Sequence, residues 1–284
     1  TTANFNTAVG ACSLYANTTG TCNTAIGACA LESNTTGSIN TAIGHQTLTS
    51  NTTGRYNTAV GSWRALYCNT TGGCNTALGH GAMCFTTTAE GNTATGFVAM
   101  RNNTTGDFNA AYGFCALYSN TTGPNNNAFG MCALRSNETG ASNQAFGRTA
   151  LGSNTSGCYN DAYGYAALGD NTTGCFNTAI ASSSVRGNTT GCFNIGIGYA
   201  SLRCNSTGNN NTAVGGCSLF ANTTGVGLVA VGFKSLLANT CGKYNTASGY
   251  KAMCKTTTGC QNAAHGSEAL FNNTTGCFNT AVGG

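Results

Sequence analysis

Short apolar stretches return along the whole chain at a fixed interval, each set between an asparagine and a glycine and followed by a polar N-T-T-G segment. The block Asn6–Gly10 reappears at Asn23 and Asn40, a step of 23 − 6 = 17 residues. It continues through Asn57, Asn75, Asn92, Asn109, Asn126, Asn143, Asn160, Asn177, Asn194 and Asn211, then, past Leu228 in place of Asn, through Asn245, Asn262 and Asn279. One step is longer, 75 − 57 = 18, with the extra residue near Trp63 and Arg64. Counting the leading Asn as position 1, the unit reads N-T-A-(V/I)-G-x-x-A-L-x-x-N-T-T-G-x-(aromatic). A unit of this length is too short for a helix pair, whose repeats run from about 33 residues. Thr, Val, Ile and aromatic residues favour strands, and N-T-T-G is expected to turn the chain on a Gly of positive φ. The expected fold is all-β: a parallel β-solenoid (β-roll or β-helix) of about seventeen coils, forming one repeat domain over residues 1–284.

Within the unit, position 3 is Ala except at Gly196, position 5 is Gly except at Ala181, and position 9 is Leu, Met or Val. Identical small residues at one place in every coil let neighbours stack. Position 4 stays mainly apolar, through Val9, Ile26, Ile43, Tyr112, Phe129, Phe146 and Tyr163 among others. Side chains alternate across a strand, so positions 3 and 4 face opposite ways, and a strand apolar on both faces is commonly buried on both. That pattern predicts lateral self-association, as in a trimer; the alternative is a two-layered fold that buries both faces within one chain. Both end coils, at Thr1 and Gly284, are incomplete, so a continuing array or head-to-tail stacking is expected.

The run N-T-A-V-G-x-x-A-L resembles the head repeats of trimeric autotransporter adhesins, which share an S-V-A-I-G-x-x-A core. It is closer still to the N-T-A-(I/V)-G and N-T-T-G arrays of tail-fibre-like proteins and of surface glycoproteins of large algal viruses. The resemblance spans essentially the whole chain. It implies a β-solenoid stalk, spike or adhesive head. The cysteine content and the longer unit point away from bacterial adhesins and toward a virion or eukaryotic surface.

Composition narrows the chemistry. Charged residues make up 6% of the chain, against about 25% in ordinary soluble proteins, and the basic ones are scattered. A nucleic-acid footprint needs clustered Lys and Arg, so no nucleic-acid partner is expected. No apolar run is long enough to span a membrane as a helix. The carboxylates, Glu32, Glu90, Asp107, Glu138, Asp161, Asp170 and Glu268, show no acid–base pairing of the kind that glycosidic cleavage needs. His45, His80 and His265 lie far apart and no C-x-x-C occurs. Neither catalytic nor metal site nor cofactor is expected.

Cysteines follow the period. Cys12 and Cys29, Cys115 and Cys132, Cys158, Cys175 and Cys192, and Cys260 and Cys277 are each 17 apart, with Cys68 and Cys84 an offset pair. Equivalent Cα atoms on adjacent coils should lie about 4.8 Å apart, inside the disulfide window of about 4.4–6.8 Å. Inter-coil disulfides in an oxidising compartment are therefore expected, with one pair only in the triplet; the alternative is a buried ladder of thiols. The N-T-T-G turn is also an N-glycosylation acceptor, at Asn17, Asn34, Asn51, Asn69, Asn103, Asn120, Asn137, Asn154, Asn171, Asn188, Asn205, Asn222 and Asn273. The competing reading is a stacked Asn ladder.

Together these features predict a structural fibre or spike on an extracellular, cell or virion surface, glycosylated and disulfide-stapled. Two alternatives stand beside it. One is an adhesin binding host glycans through aromatics such as Trp63, Tyr112 and Tyr163; the other is an ice-binding solenoid using its Thr files.

Overall fold

The architecture comes from a computed structural model that describes residues 3–283. It is an all-β parallel solenoid, with one short strand per coil. The described chain falls into two compact units, divided between Ser142 and Asn143. The end residues Thr1 and Gly284, on which the expectation of open end coils rests, lie outside the described residues.

The first unit carries β1 (Thr7–Val9), β2 (Thr24–Ile26), β3 (Thr41–His45), β4 (Thr58–Trp63), β5 (Thr76–Leu78), β6 (Thr93–Thr95), β7 (Ala110–Tyr112) and β8 (Asn127–Phe129). Each strand pairs in parallel with the next and in the repeat's own register, as in Ala8↔Ala25 and Ala25↔Ala42. The extra residue is absorbed as an irregularity between β3 and β4. Ile43 pairs with Val60 but His45 with Trp63, so Gly61 and Ser62 together stand opposite Gly44. Beyond it Thr58 pairs with Thr76 and the register resumes.

The second unit carries β9 (Gln144–Phe146), β10 (Asp161–Tyr163), β11 (Thr178–Ile180), β12 (Ile195–Ile197), β13 (Thr212–Val214), β14 (Val229–Val231), β15 (Thr246–Ser248), β16 (Ala263–His265) and β17 (Thr280–Val282). They stack in the same parallel register, from Ala145↔Ala162 to Ala264↔Ala281.

The interior is narrow and nearly uniform. Ala at positions 3 and 8 and Leu or Met at position 9 are fully buried in coil after coil, as Ala25, Ala30 and Leu31 show. At β12 the pattern changes as a set. A Cβ on Gly196 would lie 2.5 Å from Val185 and 2.6 Å from Ser184. The missing methyl thus makes room for a β-branched residue at position 9 and for a Ser184–Ser201 hydroxyl pair 2.9 Å apart.

Outside the strands the backbone is also hydrogen-bonded from coil to coil. Leu14 N donates to Ala30 O, Ala16 N to Glu32 O and Thr18 N to Thr35 O, at 2.9–3.0 Å. Such pairing satisfies amides that a turn buried against its neighbours would otherwise orphan. It requires left-handed backbone at positions 7, 9 and 17, for example Cys12 (φ 58°), Leu14 (φ 52°) and Phe5 (φ 58°). A non-glycine residue there costs about 1–2 kcal/mol, and the stacked coils hold it in place.

The expected role of the N-T-T-G glycine is corrected. Positive φ falls on the position-5 glycines, such as Gly10 at 129°. The turn glycine is needed for closeness: a Cβ on Gly20 would strike the Gly37 carbonyl and sit 2.5 Å from Asn17 Oδ1.

Candidate functional site

Two asparagine ladders run through the interior. At position 1, Asn23 N donates to Asn6 Oδ1 (2.9 Å) and Asn23 Nδ2 to Gly37 O (2.9 Å). At position 12, the sequon asparagine, Asn34 Nδ2 donates to Asn17 Oδ1 and to Gly37 O, both at 2.9 Å. Asn51, Asn120, Asn137, Asn171, Asn188, Asn205 and Asn222 repeat both bonds. Asn69 does so as well, and Asn103 and Asn154 make the carbonyl bond.

For the folded coils the geometry favours the stacked ladder over the acceptor reading. From Asn34 through Asn222 every one of these side chains is at 0% exposure, and where both bonds form, both Nδ2 hydrogens are donated. A sugar on Nδ2 would replace one hydrogen and pull the side chain out of the ladder. Only Asn17 and Asn273, near the two ends, are partly exposed.

The threonines of the same turn divide. Position 13 donates inward along the stack, as in Thr35 Oγ1 to Thr52 O (3.0 Å) and Thr172 Oγ1 to Thr189 O (2.9 Å). Position 14 faces out: Thr36, Thr53, Thr105, Thr173 and Thr190 are exposed.

The outward face of the strands is the most distinctive surface. Position 3 faces in, so the side chains of positions 2 and 4 face out, flanked by those of positions 17 and 6. The proposed interface residues Val9, Ile26, Ile43, Tyr112 and Tyr163 are exposed, with Phe129 and Phe146 half-buried. Among the described residues no second layer covers them. Sequence reasoning missed the flanking files, where Phe97, Phe114, Tyr165, Phe176, Phe193, Tyr199 and Tyr244 are also exposed. Their signal was present, since each recurs at a fixed repeat position.

Rings in these files stack on one another along the solenoid. Trp63, His80, Phe97 and Phe114 form one run with centroids 5.2–5.5 Å apart. Tyr159, Phe176 and Phe193 form another at 5.0 Å, tilted by no more than 5°. Tyr112 covers Phe129 and Tyr163 covers Phe146, while the Arg64 guanidinium lies 4.4 Å over Trp63. A sugar platform must offer a ring face to the ligand. Here ring faces are turned toward neighbouring coils and edges toward solvent, so Trp63, Tyr112 and Tyr163 are packing residues first.

The cysteines sit where the period places them, as thiols. Position 16 proves to be an acceptor position: its side chain receives the N–H of the same position one coil earlier. Ser38 Oγ accepts from Thr21 N (3.1 Å) and Asp107 Oδ1 from Glu90 N (2.8 Å). Cys175 Sγ accepts from Cys158 N (3.1 Å), Cys192 Sγ from Cys175 N (3.2 Å) and Cys277 Sγ from Cys260 N (3.1 Å). Burial pushes the Cys175, Cys115, Cys68 and Cys84 thiols above the ordinary range. A hydrogen bond to the Glu32 carboxylate raises Cys29, with the nearby Cys12 a minor contributor. Cys12/Cys29 and Cys115/Cys132 occupy the same position on successive coils, and Cys68 N donates to Cys84 O at 3.0 Å.

Among the described residues, no cluster of three or more His, Cys, Asp or Glu could hold a metal ion, and no helix is long and apolar enough to cross a membrane. A shallow cavity of about 450 Å³ lies between Asp170, Arg186, Gly187, Arg203 and Cys204. Comparison with protein-family models and with curated proteins finds no match to this chain.

Proposed function

We propose that this chain is a structural element of a fibre or spike outside the cytosol, on a cell or virion surface, and that copies associate laterally through the outward strand face. One observation carries the reading: a periodic, exposed, nearly uncharged face. In the first unit, positions 17, 2, 4 and 6 hold no Asp, Glu, Lys or Arg; in the second they hold only Asp161 and Arg148. Monomeric proteins rarely expose contiguous apolar patches above a few hundred Å². This face is at most about 20 Å wide and advances about 4.8 Å per coil. The eight coils of the first unit thus offer on the order of 750 Å² per copy, close to the ~800 Å² per partner of a standard stable interface. The oxidising location draws its support from the paired cysteines of adjacent coils.

Light scattering on the purified chain tests the association. An oligomer is expected, and Ile180→Lys with Ile197→Lys, both on exposed strand positions, should convert it to a monomer with an unchanged β-sheet spectrum. A wild-type chain that remains monomeric at high concentration removes lateral association from the reading.

The exposed position-14 threonine file supports a second reading, ice binding. Thermal hysteresis decides it: activity lost on replacing Thr173 and Thr190 by Tyr would displace the fibre reading, and no hysteresis retires the alternative.

A further inference from the structure

The cysteine files differ in length, and that difference has a chemical consequence. Cys12/Cys29, Cys115/Cys132 and Cys260/Cys277 are pairs, whereas Cys158, Cys175 and Cys192 occupy position 16 on three successive coils. The file is closed on one side by a carboxamide, since Cys192 N donates to Asn209 Oδ1 at 2.6 Å. All three residues are partly exposed, and the sulfurs of Cys175 and Cys192 each lie 3.1–3.2 Å from the amide nitrogen of the preceding cysteine in the file. Neighbouring members are one coil apart, about 4.8 Å between Cα atoms, within bridging range. The outer members are two coils apart, about 9.6 Å, and beyond it.

We propose that Cys158, Cys175 and Cys192 form a thiol–disulfide exchange site whose co-substrate is a low-molecular-weight disulfide, and that one protein disulfide moves between two positions through Cys175. Loading is balanced. A file thiolate attacks the small disulfide RSSR, forming a mixed disulfide and releasing RS⁻. A neighbouring file thiolate then displaces the second RS⁻. Two protein thiols become one disulfide and RSSR becomes two RSH. A two-membered file stops there. In the three-membered file one thiol is always left one coil from the bond just formed.

Exchange needs no further oxidant. With Cys158–Cys175 bonded, the Cys192 thiolate attacks Cys175 Sγ. The Cys175–Cys192 bond forms, the Cys158–Cys175 bond breaks, and Cys158 leaves as a thiolate and takes a proton. Attack by a thiolate through such a transfer is the general course of thiol–disulfide exchange. In the reverse step Cys158 attacks Cys175 and Cys192 leaves, its sulfur already accepting the Cys175 N–H. Cys175 is the hub: it belongs to every pairing the geometry allows.

The site stands apart from lateral association, and its test is read on the full chain whatever the oligomeric state. The reduced protein is treated with oxidised glutathione, quenched in acid, alkylated and mapped by mass spectrometry. Both linked peptides, Cys158–Cys175 and Cys175–Cys192, are expected, with the alkylated thiol divided between Cys158 and Cys192. C192S and C158S should each retain the one remaining link. C175S should form no link within the file, while Cys260–Cys277 still oxidises in the same sample and reports an intact fold. A single wild-type pairing that never redistributes, a Cys158–Cys192 link in C175S, or a file left fully alkylated while Cys260–Cys277 bridges would each overturn the proposal.

Discussion

Two stretches of the position-12 ladder use the same side chain and differ in one respect. In the second unit Asn154, Asn171, Asn188, Asn205, Asn222 and Asn239 form an unbroken run, each Nδ2 reaching back to the preceding Oδ1 at 2.7–2.9 Å. In the first unit the run from Asn17 to Asn69 stops at Thr86, and Asn69 Oδ1 and Thr86 Oγ1 are left buried without a hydrogen-bond partner. The second unit's run stops in the same way at Thr256, orphaning Asn239 Oδ1. The ladder is therefore directional. An Asn contributes fully only when the next coil supplies a donor, so a substitution is felt one coil upstream of where it is made.

The largest expected effect sharpens that contrast. Asn188→Ala removes two donated bonds and one accepted bond, those to Asn171, Gly191 and from Asn205. Gly191 O keeps its bond from Asn177, so Asn171 Oδ1 and one Asn205 N–H are left unpaired, at about 1–3 kcal/mol each, and a loss of roughly 2–6 kcal/mol is expected. Asn69→Ala breaks only the two bonds to Asn51 and Gly72, because its Oδ1 is already unpaired. Gly72 O keeps its bond from Asn57, so one group is left unpaired and the cost should be about half as large. Denaturant unfolding of the two variants checks the ratio; equal losses would mean the ladder has no direction.

Repairing the break is the next largest effect, and the two breaks should respond differently. Thr256 is followed three residues on by Gly259, as in the regular unit, so Thr256→Asn alone should satisfy Asn239 while giving up the Thr256 Oγ1 bond to Asn273 O, for a net gain of about 1 kcal/mol. Thr86 is followed by Ala89. At regular coils a Cβ at that position would lie 2.5–2.7 Å from the Asn Oδ1 three residues earlier, as at Gly20 and Gly123. The shorter Thr86 removes that side-chain contact for Ala89. Thr86→Asn alone should therefore fail to stabilise, while Thr86→Asn with Ala89→Gly should recover the gain. A single Thr86→Asn as stabilising as Thr256→Asn would refute the coupling.

An effect of similar size is expected at Ala181, which stands at φ 109° where neighbouring coils use glycine. Ala181→Gly relieves strain of the order expected for an L-residue in a glycine-only region and gives back some unfolded-state entropy, for a net gain of about 1 kcal/mol. An unchanged or lower unfolding midpoint would show that the neighbouring coils have already absorbed the strain.

These contrasts also show what could be read from residue order. The period, the parallel register, the inserted residue and the small interior followed from Asn6–Gly10 and its copies, because a stack of identical coils leaves few other arrangements. The function of the sequon asparagines did not, since the same letters code for a sugar acceptor and for a buried ladder, and only burial separates them. Left-handed backbone at Leu14 or Cys12 had no local signal either. Neither side chain favours it; inter-coil hydrogen bonds impose it. Ring orientation was likewise hidden: Tyr112 and Phe129 at one repeat position predict neighbours, but which way their faces turn depends on the coil spacing.

The two broken coils share one further substitution. They read Ala82-Met83-Cys84-Phe85-Thr86 and Ala252-Met253-Cys254-Lys255-Thr256, and Cys84 and Cys254 are the two buried cysteines among the described residues. Burial raises both thiols, offset in part by Arg101 and Arg64 at Cys84 and by Lys251, Lys234 and Lys255 at Cys254. A thiol whose pKa is higher in the folded chain than in the unfolded one stabilises the fold fully below the ordinary thiol range. That contribution is lost as pH rises through the raised value. Unfolding midpoints of the reduced chain should therefore fall on the alkaline side, by less than any substitution above changes them. Cys84→Ser with Cys254→Ser should reduce that slope. If the double variant leaves it as steep, ionisation at the broken coils is not its source, and the breaks differ from regular coils only in their missing hydrogen bonds.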